Sequence, residues 1–298
     1  MNLKIGIPKA LYYYYFYDKW KYFFKFLNIE VITSSDTNKK IIANGNRYAN
    51  DEMCLSLKIF LGHVADLEGK CDYILIPKID NYGIKDQMCC NFYVLYDLVS
   101  NLFDVPILTY EIDYKNDLEE LDGLIKIGKE LGFTKKQIKH AYHQACLEVR
   151  KETKKKIVDN TSKLSSMKKK ILLLSHPYNT YDEYIGRPII EYLEKLNCEV
   201  IFCDQFEKEV TNNFSKYLSR ELYWKKAKEN IGAIILCNEK VDGIVFLTTF
   251  PCGLDSLVNE LVMRKISKPY LNLVLDDLDA QAGIETRIES FVDILEQD

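Results

Sequence analysis

The chain has 298 residues, 47% of them hydrophobic and 28% charged, with a net charge of −4. That length suits one large domain or two ordinary ones, and the composition can bury a core. The charge argues against a generally basic nucleic-acid binder. No apolar run is long enough to span a bilayer, and "MNLKIGIPKAL" has no apolar stretch with a small-residue cleavage site. A cytoplasmic protein with no membrane or nucleic-acid partner is therefore expected.

In chain order, "LKIGIP" (3–8) reads as a buried strand, 9–27 has helical length, and "IEVITSS" (29–35) reads as the next strand. A helix is expected after a cap at Asp51. "CDYILIPKI" (71–79) and "VPILTYEI" (105–112) are two more strands. Residues 115–166 are helical, polar and rich in Lys and Glu, and "RKETKKK" reads as a solvated helix face. A second series follows, with strands at 169–177, 198–204, 241–249 and 268–277 and a closing helix at 284–297. Strands alternating with helices imply a mostly parallel, doubly wound α/β sheet. The expectation is two Rossmann- or flavodoxin-like domains, 1–114 and 167–298, with a helical connector over 115–166. No sequence repeat relates the halves. The aromatic run 12–24 reads mainly as a helix packed in its own domain, with tyrosine hydroxyls at the rim.

Phosphate-cradling patterns are missing. Gly6-Ile7-Pro8 follows the first strand in place of G-x-G-x-x-G, and no G-x-x-x-x-G-K-[ST] occurs. Proline there also removes a backbone donor. Tight binding of ATP or NAD by this chain alone is not expected.

Nine cysteines is a high and odd count for a compartment that disfavours disulfides, and with no C-x-x-C and only four histidines compact zinc-finger spacing is absent. Any shared metal must gather cysteines from distant segments. Three positions suit a thiolate. Cys252 lies in "TTFPCGLDSLVNEL", between a strand end and a helix expected to begin near Leu254 or Asp255. Cys54 lies in "ANDEMCLSLKIF", in the first turn after Asp51. Cys89 and Cys90 lie in "GIKDQMCCNF", a polar loop after the strand ending near Ile79. Helix N-termini carry unpaired N–H groups and partial positive charge, which lower a thiol pKa. Cys71, Cys146, Cys198 and Cys237 read as structural, and Cys203, at a strand end, is a reserve candidate. The plainer reading of any one cysteine is a small buried hydrophobe.

The segments 51–64, 73–79 with Cys89 beyond, "HPYNTYDEYIG" (176–186), 248–261 and "AGIETRIESFVDIL" (282–295) resemble the activase-associated branch of the 2-hydroxyacyl-CoA dehydratase family, related to the double-cubane-cluster proteins. The resemblance runs over nearly the whole chain with the motifs in order. It implies a 4Fe–4S cluster, alone or within a double cubane, held by Cys54, Cys89 and Cys252 between two Rossmann-like domains. It further implies a low-potential electron supplied by a separate ATP-dependent activase, a reductive or radical dehydration of a 2-hydroxyacyl thioester, and a homo- or heterodimer with a related subunit. The chain departs from the family where proline usually follows the second cysteine: Cys90 stands there and is an alternate to Cys89. His176, Tyr178 and Tyr184 follow a strand end and are candidates for donating protons or orienting a substrate, against the reading of a hydrogen-bonded structural loop. A non-catalytic electron-transfer or accessory subunit and a metal-free α/β scaffold are the rival readings.

Overall fold

The computed structural model describes residues 3–219, 222–277 and 281–297, with the backbone alone at 281 and 282. Two compact units, Met1–Glu152 and Thr153–Asp298, divide the chain.

The first unit runs β1 (Lys4–Ile7), α1 (Tyr13–Phe26), β2 (Glu30–Thr33), α2 (Lys39–Asn46), α3 (Leu55–Leu67), β3 (Tyr73–Leu75), β4 (Lys78–Asn81), α4 (Asn91–Leu102), β5 (Ile107–Leu108), β6 (Glu111–Asp113), α5 (Glu120–Glu130) and most of α6 (Lys135–Lys163). Its main sheet has the order β2-β1-β3-β5, all parallel. β4 and β6 form a second parallel pair that continues β3 and β5 after a short interruption. The second unit runs β7 (Lys169–Leu174), α7 (Pro177–Thr180), α8 (Arg187–Lys195), β8 (Cys198–Phe202), α9 (Lys208–Leu218), α10 (Lys225–Cys237), β9 (Gly243–Thr249), α11 (Gly253–Met263), β10 (Tyr270–Leu275) and α12 (Gln281–Gln297). Its sheet is parallel in the order β10-β9-β7-β8.

Numbered within each unit, both main sheets follow the order 2-1-3-4, so the halves share a doubly wound topology that no sequence repeat announces. In this order the direction of winding reverses between the first and third strands, and ligands of open α/β sheets bind outside the carboxyl ends there. That point lies between β1 and β3 in the first unit and between β7 and β9 in the second.

The division between the units falls inside α6, within the helical segment 115–166. Its early turns pack in the first unit, where a Cβ at Gly128 would sit 2.5 Å from Ile138. Its last turns serve the second, where Asn160 accepts from the backbone N–H of Phe202 at 2.9 Å and donates to the Phe202 carbonyl at 3.0 Å. Those bonds satisfy the outer side of β8, an edge strand.

Packing inside the first unit fixes where α3 begins. A Cβ at Gly45 would meet the Lys58 carbonyl oxygen at 1.9 Å, and one at Gly62 the Ile41 carbonyl oxygen at 2.0 Å. Glycine on both helices thus lets the backbones of α2 and α3 touch. His63, fully buried on α3, lies 2.8 Å from the Ser34 hydroxyl through Nδ1 and 2.9 Å from the Thr37 hydroxyl through Nε2. It ties the β2–α2 loop to α3, and burial lowers its pKa to about 4. The aromatic run behaves as packing: residues 13–19 are all half-buried, Tyr12 meets Phe92 edge-on at 4.8 Å, and Trp20 donates to the Tyr110 hydroxyl at 2.9 Å.

Candidate functional site

In a parallel unit each crossover helix returns antiparallel to its strands, so its N-terminus lies at the carboxyl edge of the sheet. α3, α4 and α11 are such helices. Cys54 is the N-cap of α3 and its carbonyl accepts from Leu57 and Lys58 N–H. It sits at the cap itself, in place of the first-turn position expected after Asp51. Cys90 is the N-cap of α4, and the carbonyl of Cys89 accepts from Phe92 N–H at 2.9 Å. Cys252 is the N-cap of α11, which begins at Gly253, one or two residues earlier than the expected Leu254 or Asp255.

Cys54 and Cys89 belong to one corner of the first unit. The side-chain amide of Asn91, first residue of α4, donates to the Cys54 sulfur at 3.9 Å. The loop that delivers Cys89 is folded back on β4: Met88 N–H donates to the Asp80 carbonyl at 2.8 Å, Tyr82 N–H to the Asp86 carbonyl at 2.9 Å, and Gly83 turns with φ 133°. Asn81 anchors its base, donating to Asp113 Oδ1 at 2.6 Å and accepting from Gly83 N–H at 3.0 Å. Met88 is buried and Cys89 half-buried, whereas Cys90 is exposed.

The second unit places Cys252, His176 and Asp255 at its own winding reversal. β9 ends at Thr249, followed by a cis Phe250–Pro251 bond and then Cys252, whose N–H donates to the Thr249 carbonyl at 2.9 Å. His176 follows β7, is buried, and lies 2.9 Å from Asp255 Oδ1 through Nε2. Thr248 donates to Asp255 Oδ2 at 3.3 Å, and the Cys252 thiol also hydrogen-bonds this carboxylate. Burial raises the Asp255 pKa, but His176, Cys252 and Thr248 outweigh it and hold the carboxyl below its usual range. Ser175 closes the same crevice by donating to the Leu247 carbonyl at 2.6 Å.

Tyr178 stacks on the His176 ring, with centroids 5.0 Å apart and planes 14° apart. Tyr184 belongs to a different local structure: its N–H and that of Ile185 donate to Asp182 Oδ1, at 2.8 and 3.0 Å, in the turn that starts α8.

Cys71, Cys198, Cys203 and Cys237 are built in as packing, Cys146 is half-buried on α6, and no pair of the nine cysteines forms a disulfide. Cys203 is buried beneath Ser175, donates to the Ser175 carbonyl at 3.3 Å, and burial pushes its pKa well up. Burial pushes Cys237 up to about 12 and also raises Cys198 and Cys71. Cys71 fills the space over Gly6, where a Cβ would lie 2.5 Å from its sulfur. Among the described residues no group of three or more His, Cys, Asp or Glu side chains is placed to hold a metal ion. The three expected ligands are divided, two in the first unit and one in the second. Sequence reasoning missed Asp255, although its place three residues after the cap, where a carboxylate can reach back to the cap residue, was a readable signal.

A family model described as the CoA enzyme activase uncharacterised domain matches residues 4–206. The chain belongs to this family. The match contains Cys54, Cys89, Cys90, His176, Tyr178 and Tyr184, and Cys252 lies beyond it. No curated protein matches. Among solved structures, the chain is similar over 99% of both chains to ZnuA, at 11% identity and a TM-score of 0.27. A sugar transporter from Clostridium phytofermentans matches at 10% identity and a TM-score of 0.22, over 100% of this chain and 94% of that one. A periplasmic solute-binding protein of an ABC transporter from Actinobacillus succinogenes, solved with D-allose, matches at 12% identity and a TM-score of 0.24, over 100% and 93%. Scores this low place no weight on those proteins' ligands. No helix among the described residues is long and apolar enough to cross a membrane.

Proposed function

We propose that this member of the activase-associated family is an iron–sulfur protein of the 2-hydroxyacyl-CoA dehydratase type. It takes low-potential electrons from a separate ATP-dependent activase and delivers them to a reductive or radical dehydration. Cys54, Cys89 and Cys252 are its ligands to a 4Fe–4S cluster. One observation carries the reading: two of the three cysteines cap helices and the third immediately precedes a cap, and all three helices start at the carboxyl edge of a parallel sheet. The donor chemistry fits, since such clusters take cysteine thiolates and helix N-termini favour the thiolate. When bound with three protein ligands, a four-iron cluster supplies one-electron chemistry and leaves one iron open to an exogenous ligand. The chain's own residues hold the sulfurs in place: Asn91 at Cys54, the Met88–Asp80 backbone bond before Cys89, and Asp255 at Cys252. His176 and Tyr178 line the Cys252 side and are the groups that would orient a substrate or hold a proton there.

The test is anaerobic purification with iron and acid-labile sulfide measured per chain, followed by reduction with an activase and ATP. About four irons per chain and a reducible paramagnetic signal are expected. A colourless chain without iron would leave the metal-free scaffold. Reduction without turnover of any 2-hydroxyacyl thioester would favour the accessory electron carrier.

A further inference from the structure

Cys252 does not hang from a loop. The Asp255 carboxylate, in the first turn of α11, reaches back to its thiol and at the same time binds His176 from the end of β7 and Thr248 from the end of β9. Three chain segments around the winding reversal are therefore joined through two oxygens of one side chain. The carboxylate is buried, and each of its oxygens has a polar partner, His176 on one and Thr248 on the other. His176 is itself braced, by the Tyr178 ring on its face. The adjoining cavity, about 10 Å³ and lined by Ser175, His176, Asn230, Asp255 and Asn259 among others, holds at most about one water. The carboxylate thus has little room to swing away.

We propose that Asp255, braced by His176, is the positioning residue for Cys252, fixing the sulfur at the mouth of α11 before any metal arrives. The proposal rests on the cluster reading above for its purpose, but its structural content stands apart from it. A preset sulfur removes the ordering that a mobile ligand would undergo on binding. Because the role is geometric, it asks for an acceptor of the right length and not for a negative charge.

The experiment uses the full chain stripped of metal by chelation and follows iodoacetamide labelling at each cysteine by peptide mass spectrometry. Asp255→Ala should speed labelling of Cys252 about tenfold, the scale of losing one hydrogen bond to a charged group. Asp255→Asn, which keeps an acceptor oxygen, should stay within about threefold of the parent. His176→Gln, which leaves Asp255 in place and only loosens it, should fall between the two. Cys54 and Cys89 should not change. The idea is overturned if Asp255→Ala leaves Cys252 unchanged, or if Asn behaves as Ala does, which would make charge the cause. It is also overturned if Cys198, Cys203 and Cys237 speed up together with Cys252, which would mark general loosening of the unit. Iron content is read in parallel. A parent chain without iron sinks the cluster reading alone, whereas an iron-bearing parent matched by Asp255→Ala in iron retention sinks the positioning role alone.

Discussion

Asn91 and Cys54 are joined by a hydrogen bond from the side-chain amide to the sulfur at 3.9 Å. The bond ties the first residue of α4 to the N-cap of α3, so the two cysteine-bearing helix starts of the first unit form one corner. Sulfur is a weak acceptor, and the amide serves to aim it more than to stabilise the fold. Asn91→Ala should therefore cost less than about 1 kcal/mol of unfolding free energy. It should nevertheless speed labelling of Cys54 and shorten retention of iron under a competing chelator. Unchanged labelling in the variant would show that the amide does not aim the sulfur.

His63 gives the first unit a pH dependence. Its folded pKa lies near 4, below the ordinary 6.5, because burial disfavours the charged ring and outweighs the opposing pull of Asp66. The unfolded chain therefore binds more protons between pH 4 and 6.5, and stability rises with pH across that window. The contribution is fully present above 6.5 and is lost as pH falls toward 4. Between pH 7 and 5 the loss should be about 2 kcal/mol, from 1.36 kcal/mol per pKa unit. Urea unfolding of the parent and of His63→Gln at both pH values checks this. The variant should be less stable at pH 7 and show a smaller drop on acidification, and an equal drop in both would assign the effect elsewhere.

Every strand read from the sequence contains a strand in the structure, because buried parallel strands are short apolar runs bounded by turn residues and that signal is local. The interruptions near Pro77 and between β5 and β6 were not legible, nor was the equal winding of the two halves. Strand order is set by crossovers and burial, which leave no repeated residues. The 115–166 segment reads as one polar helical stretch because its packing partners leave no mark in the composition: Ile138 packs on Gly128 within the segment, while Asn160 serves Phe202 beyond it. The helix starts beside Cys252 and Cys54 were legible to within a few residues, and the structure puts both cysteines at the caps. The carboxylate of Asp255 was passed over because its partners, His176 and Thr248, come from two other strand ends.

The α2–α3 contact should be intolerant of a single methyl group. A Cβ at Gly62 would lie 2.0 Å from the Ile41 carbonyl oxygen, and backbone cannot yield as a flexible side chain does. Gly62→Ala should cost about 1–3 kcal/mol by overpacking, or more if the helices cannot separate. Gly283, in α12, has nothing within 4 Å of its Cβ position, so Gly283→Ala should gain up to about 1 kcal/mol from helix propensity. Urea midpoints of the two variants should move in opposite directions. If Gly62→Ala is neutral, the helices do not touch as closely as described. Because α3 carries Cys54 at its start, Gly62→Ala should also lower iron retention.

Adjacent Cys89 and Cys90 should separate in function. Cys89 is half-buried at the end of a loop anchored by the Met88–Asp80 backbone bond, and its carbonyl opens the first turn of α4. Cys90 is exposed one residue further on, at the cap. Successive residues at a helix start point in different directions, so one corner cannot present both sulfurs to the same partner without rebuilding the turn. Cys89→Ala should lose the cluster or make it labile, since it removes one of three proposed ligands. Cys90→Ala should keep the iron and sulfide of the parent and lose only the most accessible thiol. Iron and sulfide per chain after anaerobic purification, with thiol counts before and after mild alkylation, decide between them. The reverse outcome, iron kept in Cys89→Ala and lost in Cys90→Ala, would move the ligand by one residue and place the exposed cap sulfur on the metal.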